Sequence, residues 1–383
     1  MDRRSFLLGT SGLVVSQMLM GCNSKNQAQF NVQLLKGSIP AYVVNQFRKS
    51  LQSEANLKFV PINQIYDLFK QLQTWQQPKD NNQEGWRRFV PFTQSQKVTK
   101  SDLVTLGDYW LKAAIEQKLI QPLETEKIQQ WSALNQKWQQ LVKRDIQGNL
   151  DPQGQVWAAP YRWGNTVIVY NREKLEKFDW QPQDWDDLWR SELRSRISLL
   201  NNSREVIGLV LKKLGKSYNT ENLSEISSLE TELQTLHQQV KFYDSTTYLE
   251  PLIIGDTWLA VGWSHDIIPI LSRYPQLRAV IPQSGTAIWA DLWVQPAGVE
   301  KNNLLSKWIN FCWQPKIAQQ ITILTKTNTP ITTNIAASDI SEPLQNLLLT
   351  KQELLDKSEF LQPLSAAATQ QYDSLFKKMK NPG

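Results

Sequence analysis

From Phe30 onward, short apolar runs alternate with stretches whose apolar residues recur every three or four positions. "FNVQLL" has the length and continuity of a buried strand, and Pro40 to Leu51 puts Val43, Val44, Phe47 and Leu51 on one helical face. The pair repeats in "LKFVPI" and a helix carrying Ile65, Leu68, Phe69 and Leu72, then in "DLVTLGD" and a helix over "YWLKAAIEQKLIQPL". A second block opens at "TVIVYN", too uniformly apolar for a strand with one wet face. It runs on through "RISLL", a helix from Ser203 to Leu214, a helix near 224 to 240 and the strand "WLAVGW". Such alternation predicts an α/β fold, with parallel sheet covered by helices on both faces. Between the blocks, "DPQGQVWAAPYRWGN" is rich in turn residues and aromatics and reads as a crossing rather than a core element. A chain of 383 residues exceeds what one core usually holds, which predicts two domains. No internal repeat is visible, and the Gln and Asn enrichment of residues 71–97 reads as a surface excursion.

The first residues break this pattern. Arg3 and Arg4 precede an apolar run, Leu7 to Met20, that Thr10, Ser11, Ser16 and Gln17 interrupt, so it is too short and too polar to span a bilayer and reads as an export signal. Asp2 to Leu7 is similar to the twin-arginine motif, and Leu19-Met20-Gly21-Cys22 resembles a bacterial lipobox. That resemblance implies a signal peptide of residues 1–21, a lipid on Cys22, a polar tether over 22–29 and a periplasmic protein anchored to the cytoplasmic membrane. The other cysteine, Cys312, lies in "WINFCWQP" on an apolar helical stretch and reads as a small buried hydrophobe.

Composition narrows the chemistry. The formal charge of +6 is diffuse apart from Lys377, Lys378 and Lys380, and without a basic stripe there is no footprint for nucleic acid. Only His237 and His265 are present, too few for a zinc site or a Ser-His-Asp triad. His237 falls on the solvated flank of a helix, whereas His265, just after Trp263, suits either a loop or a cleft wall. The acids of "DWDDLW", Asp184, Asp186 and Asp187, would have to serve as carboxylates in a glycosidase, but beside helix-packing aromatics they read as helix caps. No two of the ten tyrosines are adjacent, which disfavours a ferric-ion site.

Two stretches suit a binding site. If "AIWADLWV" is a strand, Trp289, Asp291 and Trp293 share a face, giving a carboxylate flanked by two indoles. An ammonium ligand needs that combination, charge-assisted hydrogen bonds plus a π face, although a chain with 16 Trp also has core strands that carry one acid. In "NNSREVIGLVLKKLG", Asn202 and Glu205 have the spacing of a capping box.

"TLGDYWLKAAIEQKLIQPL", "DPQGQVWAAPYRWGNTVIVYNREKL", "GDTWLAVGW", "IWADLWVQPAG" and "WINFCWQPKIAQQITILTKTNTPITTN" occur in an order that resembles the extracellular solute-binding proteins of ABC importers, within them the periplasmic spermidine/putrescine-binding family. The resemblance covers nearly all of the chain after Cys22. It implies two doubly wound lobes joined by crossing strands, of the periplasmic binding protein type II-like kind, closing on a cleft. Lobe 1 would hold residues 30–163 plus 287–330, and lobe 2 residues 164–286 plus 331–383. It further implies a monomer without catalysis or cofactor that takes a small solute, first of all a polyamine, to a membrane permease. Positions matching the family's ligand contacts are Trp289, Asp291, Trp263, Glu205, Tyr109 and Gln362, together with Asn202, where the family has an aspartate; Trp293 is left as packing. The first loop departs as well. In place of the family's tryptophan and tyrosine stands "LLKGSIP", and Lys36 there would repel a diamine or hold a carboxylate or phosphate. A zwitterionic or anionic organic solute, a sugar and ferric ion therefore remain as alternatives.

Overall fold

A computed structural model describes residues 28–51, 55–76 and 100–381. The twin-arginine and lipobox readings, Cys22 included, lie outside the described residues. The first strand starts two residues inside the expected tether, at Ala28.

Among the described residues, nine strands carry the architecture: β1 (Ala28–Leu35), β2 (Ala55–Ile62), β3 (Leu103–Gly107), β4 (Ala159–Asn171), β5 (Ile197–Leu199), β6 (Val240–Tyr243), β7 (Leu259–Trp263), β8 (Leu277–Val280) and β9 (Ala287–Pro296). They form one mixed sheet in the order β2-β1-β3-β9-β4-β7-β5-β6, with β8 against the far part of β4. The parallel sheet expected from the alternation is present as two trios, β2-β1-β3 and β7-β5-β6. Between them β9 and β4 run antiparallel to each other and to their outer neighbours. The segment read as a mere crossing is therefore also core, because its second half begins β4, all 13 residues of which are buried.

The helices obey the same patterning. Among them α1 (Ala41–Ser50) turns Val43 and Phe47 inward, and α2 (Ile65–Gln76) turns Leu68, Phe69 and Leu72 inward. The long helix expected over 109–123 is not formed. A 3-10 turn, Asp108–Trp110, and a six-residue helix, Leu111–Glu116, end at Lys118, whose φ of 55° cannot continue a right-handed helix. Farther along lie α3 (Ser203–Lys213), α4 (Leu229–Gln239), α5 (Ser264–Arg273), α6 (Asn303–Cys312), α7 (Pro315–Thr325) and α8 (Ala366–Lys380). Cys312 is buried at the end of α6, as its apolar setting required.

Among the described residues, apolar side chains gather in three clusters. The largest joins β1 to β3, α1, α2 and the start of β4 to β9, α6 and α7, and includes Leu355 and Phe360. The other two lie on opposite faces of β4 and β7: Ile168, Tyr170, Leu259 and Val261 enter one, Val167, Val169 and Ala260 the other. Alternate side chains feeding two cores explain why "TVIVYN" carries no wet face.

Candidate functional site

Glu205, Trp263, Trp289 and Asp291 come together where β4 and β9 pass between the clusters, whereas Gln362 lines a different cavity. Glu205 sits in the first turn of α3, 4% exposed. Asn202 caps this helix, its side chain accepting from the amides of Arg204 and Glu205 at 3.0 and 3.3 Å. The other half of the expected capping box is missing, because Glu205 turns away from Asn202. Its Oε1 accepts from Trp263 Nε1 at 2.8 Å and its Oε2 from Thr166 Oγ1 at 3.0 Å. Burial raises its pKa, and the Trp263 and Thr166 hydrogen bonds and the charge of Arg204 lower it only in part.

Trp263 ends β7 and leads into α5, whose second residue is His265. The His265 ring stacks on Trp263, centroids 6.0 Å apart, and meets Trp289 edge to face at 5.0 Å. Trp289 fits there because Gly164, opposite it in β4, has no side chain; a Cβ would strike the indole and Ser264 Oγ. The Trp289 indole N–H is buried with no acceptor among the described residues.

Asp291, two residues on, is 4% exposed, and its carboxylate is not free. Arg162, opposite it on β4 and 7% exposed, donates Nε to Asp291 Oδ2, and its guanidinium lies 5.7 Å from the centre of the Trp289 ring. Burial alone would lower the Arg162 pKa; the Asp291 charge turns the shift upward. Trp293 lies in the largest cluster, fully buried and stacked on Tyr161 at 4.0 Å, consistent with packing.

Tyr109 is 57% exposed and sits edge-on to Trp110 next to the site. Gln362 is exposed and tied by its backbone: its N–H donates to Asn219 Oδ1, and its carbonyl accepts from Arg204. With Arg144 and Asn219 it lines a cavity of about 390 Å³. His237 is half-buried, its Nδ1 3.0 Å from the Tyr243 hydroxyl and away from these residues. Asp184 and Asp187 form a capping box, as their setting suggested.

Sequence reasoning singled out neither Arg162 nor Asp108. Asp108, after β3, accepts from the amide of Ala290 at 3.1 Å. Its pKa is pushed up to about 7, first by burial, which the Ala290 hydrogen bond opposes and the Asp291 charge reinforces. Unfolded, the group titrates near 3.8. Between these values the folded chain holds a proton that the unfolded chain has released, so stability falls as pH rises through the window and levels off above it. In Asp108→Asn the side-chain oxygen still accepts from Ala290. Thermal unfolding of the variant between pH 5 and 8 is expected to show a shallower decline and a higher Tm at pH 8 than the parent; parallel curves would refute the assignment.

Among the described residues no group of His, Cys, Asp and Glu is arranged to hold a metal ion. What the residues offer is recognition: a buried carboxylate, indole faces, an imidazole and a guanidinium.

Residues 99–357 match the bacterial extracellular solute-binding protein family. The spermidine/putrescine-binding periplasmic protein of Escherichia coli is 26% identical over 282 residues, 73% of this chain and 77% of that protein. The putrescine-binding periplasmic protein PotF of the same organism is 26% identical over 238 residues, 58% of this chain and 63% of its own. Among solved structures, the spermidine/putrescine ABC transporter substrate-binding protein PotD of Streptococcus pneumoniae superposes with a TM-score of 0.74 at 21% identity, over 93% of this chain and all of that one. The TpPotD lipoprotein of Treponema pallidum gives 0.66 at 16% identity, over 92% of this chain and 99% of its own.

Proposed function

Since the chain belongs to the bacterial extracellular solute-binding proteins, which capture solutes without transforming them, we propose that it is the capture component of an ABC importer for a small organic amine. The polyamines named for its relatives are the first amines to test. The observation that carries this reading is Glu205: a buried carboxylate, hydrogen-bonded by an indole N–H and a hydroxyl, with no cation among the described residues close enough to form an ion pair. Such a group costs stability until a cation reaches it, and an ammonium ion supplies one. Trp263 and Trp289 offer π faces to the adjoining methylenes, worth about 0.5–2 kcal/mol per cationic contact. Asp291, engaged by Arg162, shapes the site through that arginine, and Tyr109 and Asn202 stand at its edge.

Two lobes, residues 30–163 plus 287–330 and 164–286 plus 331–383, close over the guest in this reading; the separation of the largest apolar cluster from the other two supports it, although Ile331, Leu355 and Phe360 pack in that largest cluster. The protein acts from the periplasmic face of the cytoplasmic membrane, held by a lipid on Cys22 after twin-arginine export, and passes its guest to a permease. The order and spacing of "RRSFLL" and "LMGC" support that placement, and no helix among the described residues is long and apolar enough to cross a membrane.

Isothermal titration against polyamines, amino acids, sugars and ferric citrate tests the ligand class. Heat from amines is expected; heat from sugars or ferric citrate alone would overturn the reading. Mass spectrometry of the exported protein is expected to find lipidated Cys22 as the first residue, and an unmodified Cys22 would refute the anchor.

A further inference from the structure

Beside the aromatic cluster lies a cavity of about 620 Å³ whose charge is opposite to what a diamine needs. Among the described residues, Lys36, Arg162 and Lys326 line it, against one acid, Asp266. That acid is already engaged: His265 Nε2 lies 3.1 Å from it, and the Tyr248 hydroxyl donates to it at 3.1 Å. Asp291 takes only Nε of Arg162, and a guanidinium carries further N–H donors at its two terminal nitrogens. Lys36 and Lys326 form no ion pair with any described residue. Lys326 is held in place by the left-handed turn that ends α7, with φ 54°. Trp289, under Arg162, adds an N–H with no acceptor among the described residues. Glu205 holds Trp263 at the aromatic cluster, while Arg162 lies over Trp289 and shares the cavity with His265, Lys36 and Lys326.

Resting on the amine reading above, we propose that the far end of the guest is anionic: the solute is an aliphatic amine bearing a carboxylate. Its ammonium group pairs with Glu205, its methylenes lie along Trp263 and Trp289, and its carboxylate enters the cavity of Lys36, Arg162 and Lys326. A planar carboxylate matches the fork of a guanidinium, which a second ammonium would meet as a like charge. The Arg162–Asp291 pair fixes that fork against the indole, so the acid that would grip an amine instead orients the residue that grips an acid.

Three probes with the same four-methylene spine separate the possibilities when titrated into the full chain: putrescine, 5-aminopentanoate and adipate. We expect 5-aminopentanoate to bind at least tenfold more tightly than putrescine, and Lys36→Glu with Lys326→Glu to reverse that order. Putrescine binding more tightly to the unaltered protein would overturn the anionic end and leave the amine reading standing. Adipate binding more tightly than either would overturn the amine reading and leave the anionic pocket standing. No binding of any probe at millimolar concentration would overturn both. Lys36 is exposed and Lys326 half-buried, so loss of folding in the double variant is checked by its thermal transition, and single variants serve if it fails.

Discussion

Arg162→Met is expected to destabilise the protein by about 3–5 kcal/mol, the cost of leaving a buried charge without its partner. Asp291 is 4% exposed and has no other cation within ion-pair distance among the described residues, so nothing replaces the lost contact. The methionine roughly fills the volume of the arginine stem, which keeps the loss electrostatic rather than a matter of packing. Joining Asp291→Leu to it should restore most of the stability, since an apolar pair in place of a buried ion pair is often neutral or better. Urea unfolding of the four proteins completes the cycle. Simple addition of the two single losses would mean that Arg162 and Asp291 are not coupled. The double variant should also lose affinity for any carboxylate-bearing guest.

Glu205→Gln should separate stability from binding in the other direction. The amide keeps an oxygen to accept from Trp263, and the Thr166 hydroxyl can turn to accept from the new N–H. Little hydrogen bonding is lost in the empty protein. The sign of the pH effect follows from the raised pKa: ionised Glu205 costs stability as pH climbs through and above its titration, and the glutamine removes that cost. The variant should therefore be at least as stable as the parent at pH 8. Its affinity for an amine should fall by about 1.5–3 kcal/mol, the range for hydrogen bonds to charged groups, or roughly tenfold to 150-fold. Calorimetry of both proteins at pH 8 with one amine checks it. Unchanged affinity would remove Glu205 from the site, and a loss of stability equal to the loss of affinity would make it a structural residue.

Local pattern was legible wherever one side chain's fate depended on its near neighbours. The strands and helices of the alternating blocks, the cap by Asn202, the capping box of Asp184 and Asp187 and the burial of Cys312 all follow from residues a few positions apart. What was not legible depends on pairing across the sheet. "AIWADLWV" announced an acid among indoles, but the arginine that meets it lies 129 positions earlier, in a stretch read as a crossing. The spacing of Asn202 and Glu205 fitted a capping box because nothing in that stretch reveals that Trp263 and Thr166 compete for the carboxylate. The expected helix over 109–123 failed for a similar reason: its apolar spacing continues past Glu116, yet Leu119 and Ile120 are used in a backbone turn and a short pairing with β9.

The largest apolar cluster also sets an order of events during synthesis. Phe47 and Phe59, from the first strand–helix units, pack at 5.0 and 4.9 Å against Trp308, from α6. β9, which borders β3, arrives equally late. A ribosome therefore releases β1, β2 and β3 long before the strand and the tryptophan that cover them exist. Closing so long a loop costs little free energy, because the entropy grows only with the logarithm of its length; the penalty falls on time. Until α6 emerges, the first three strands present an apolar face and an unpaired edge to the cytosol, the condition under which nascent chains associate with one another or with chaperones.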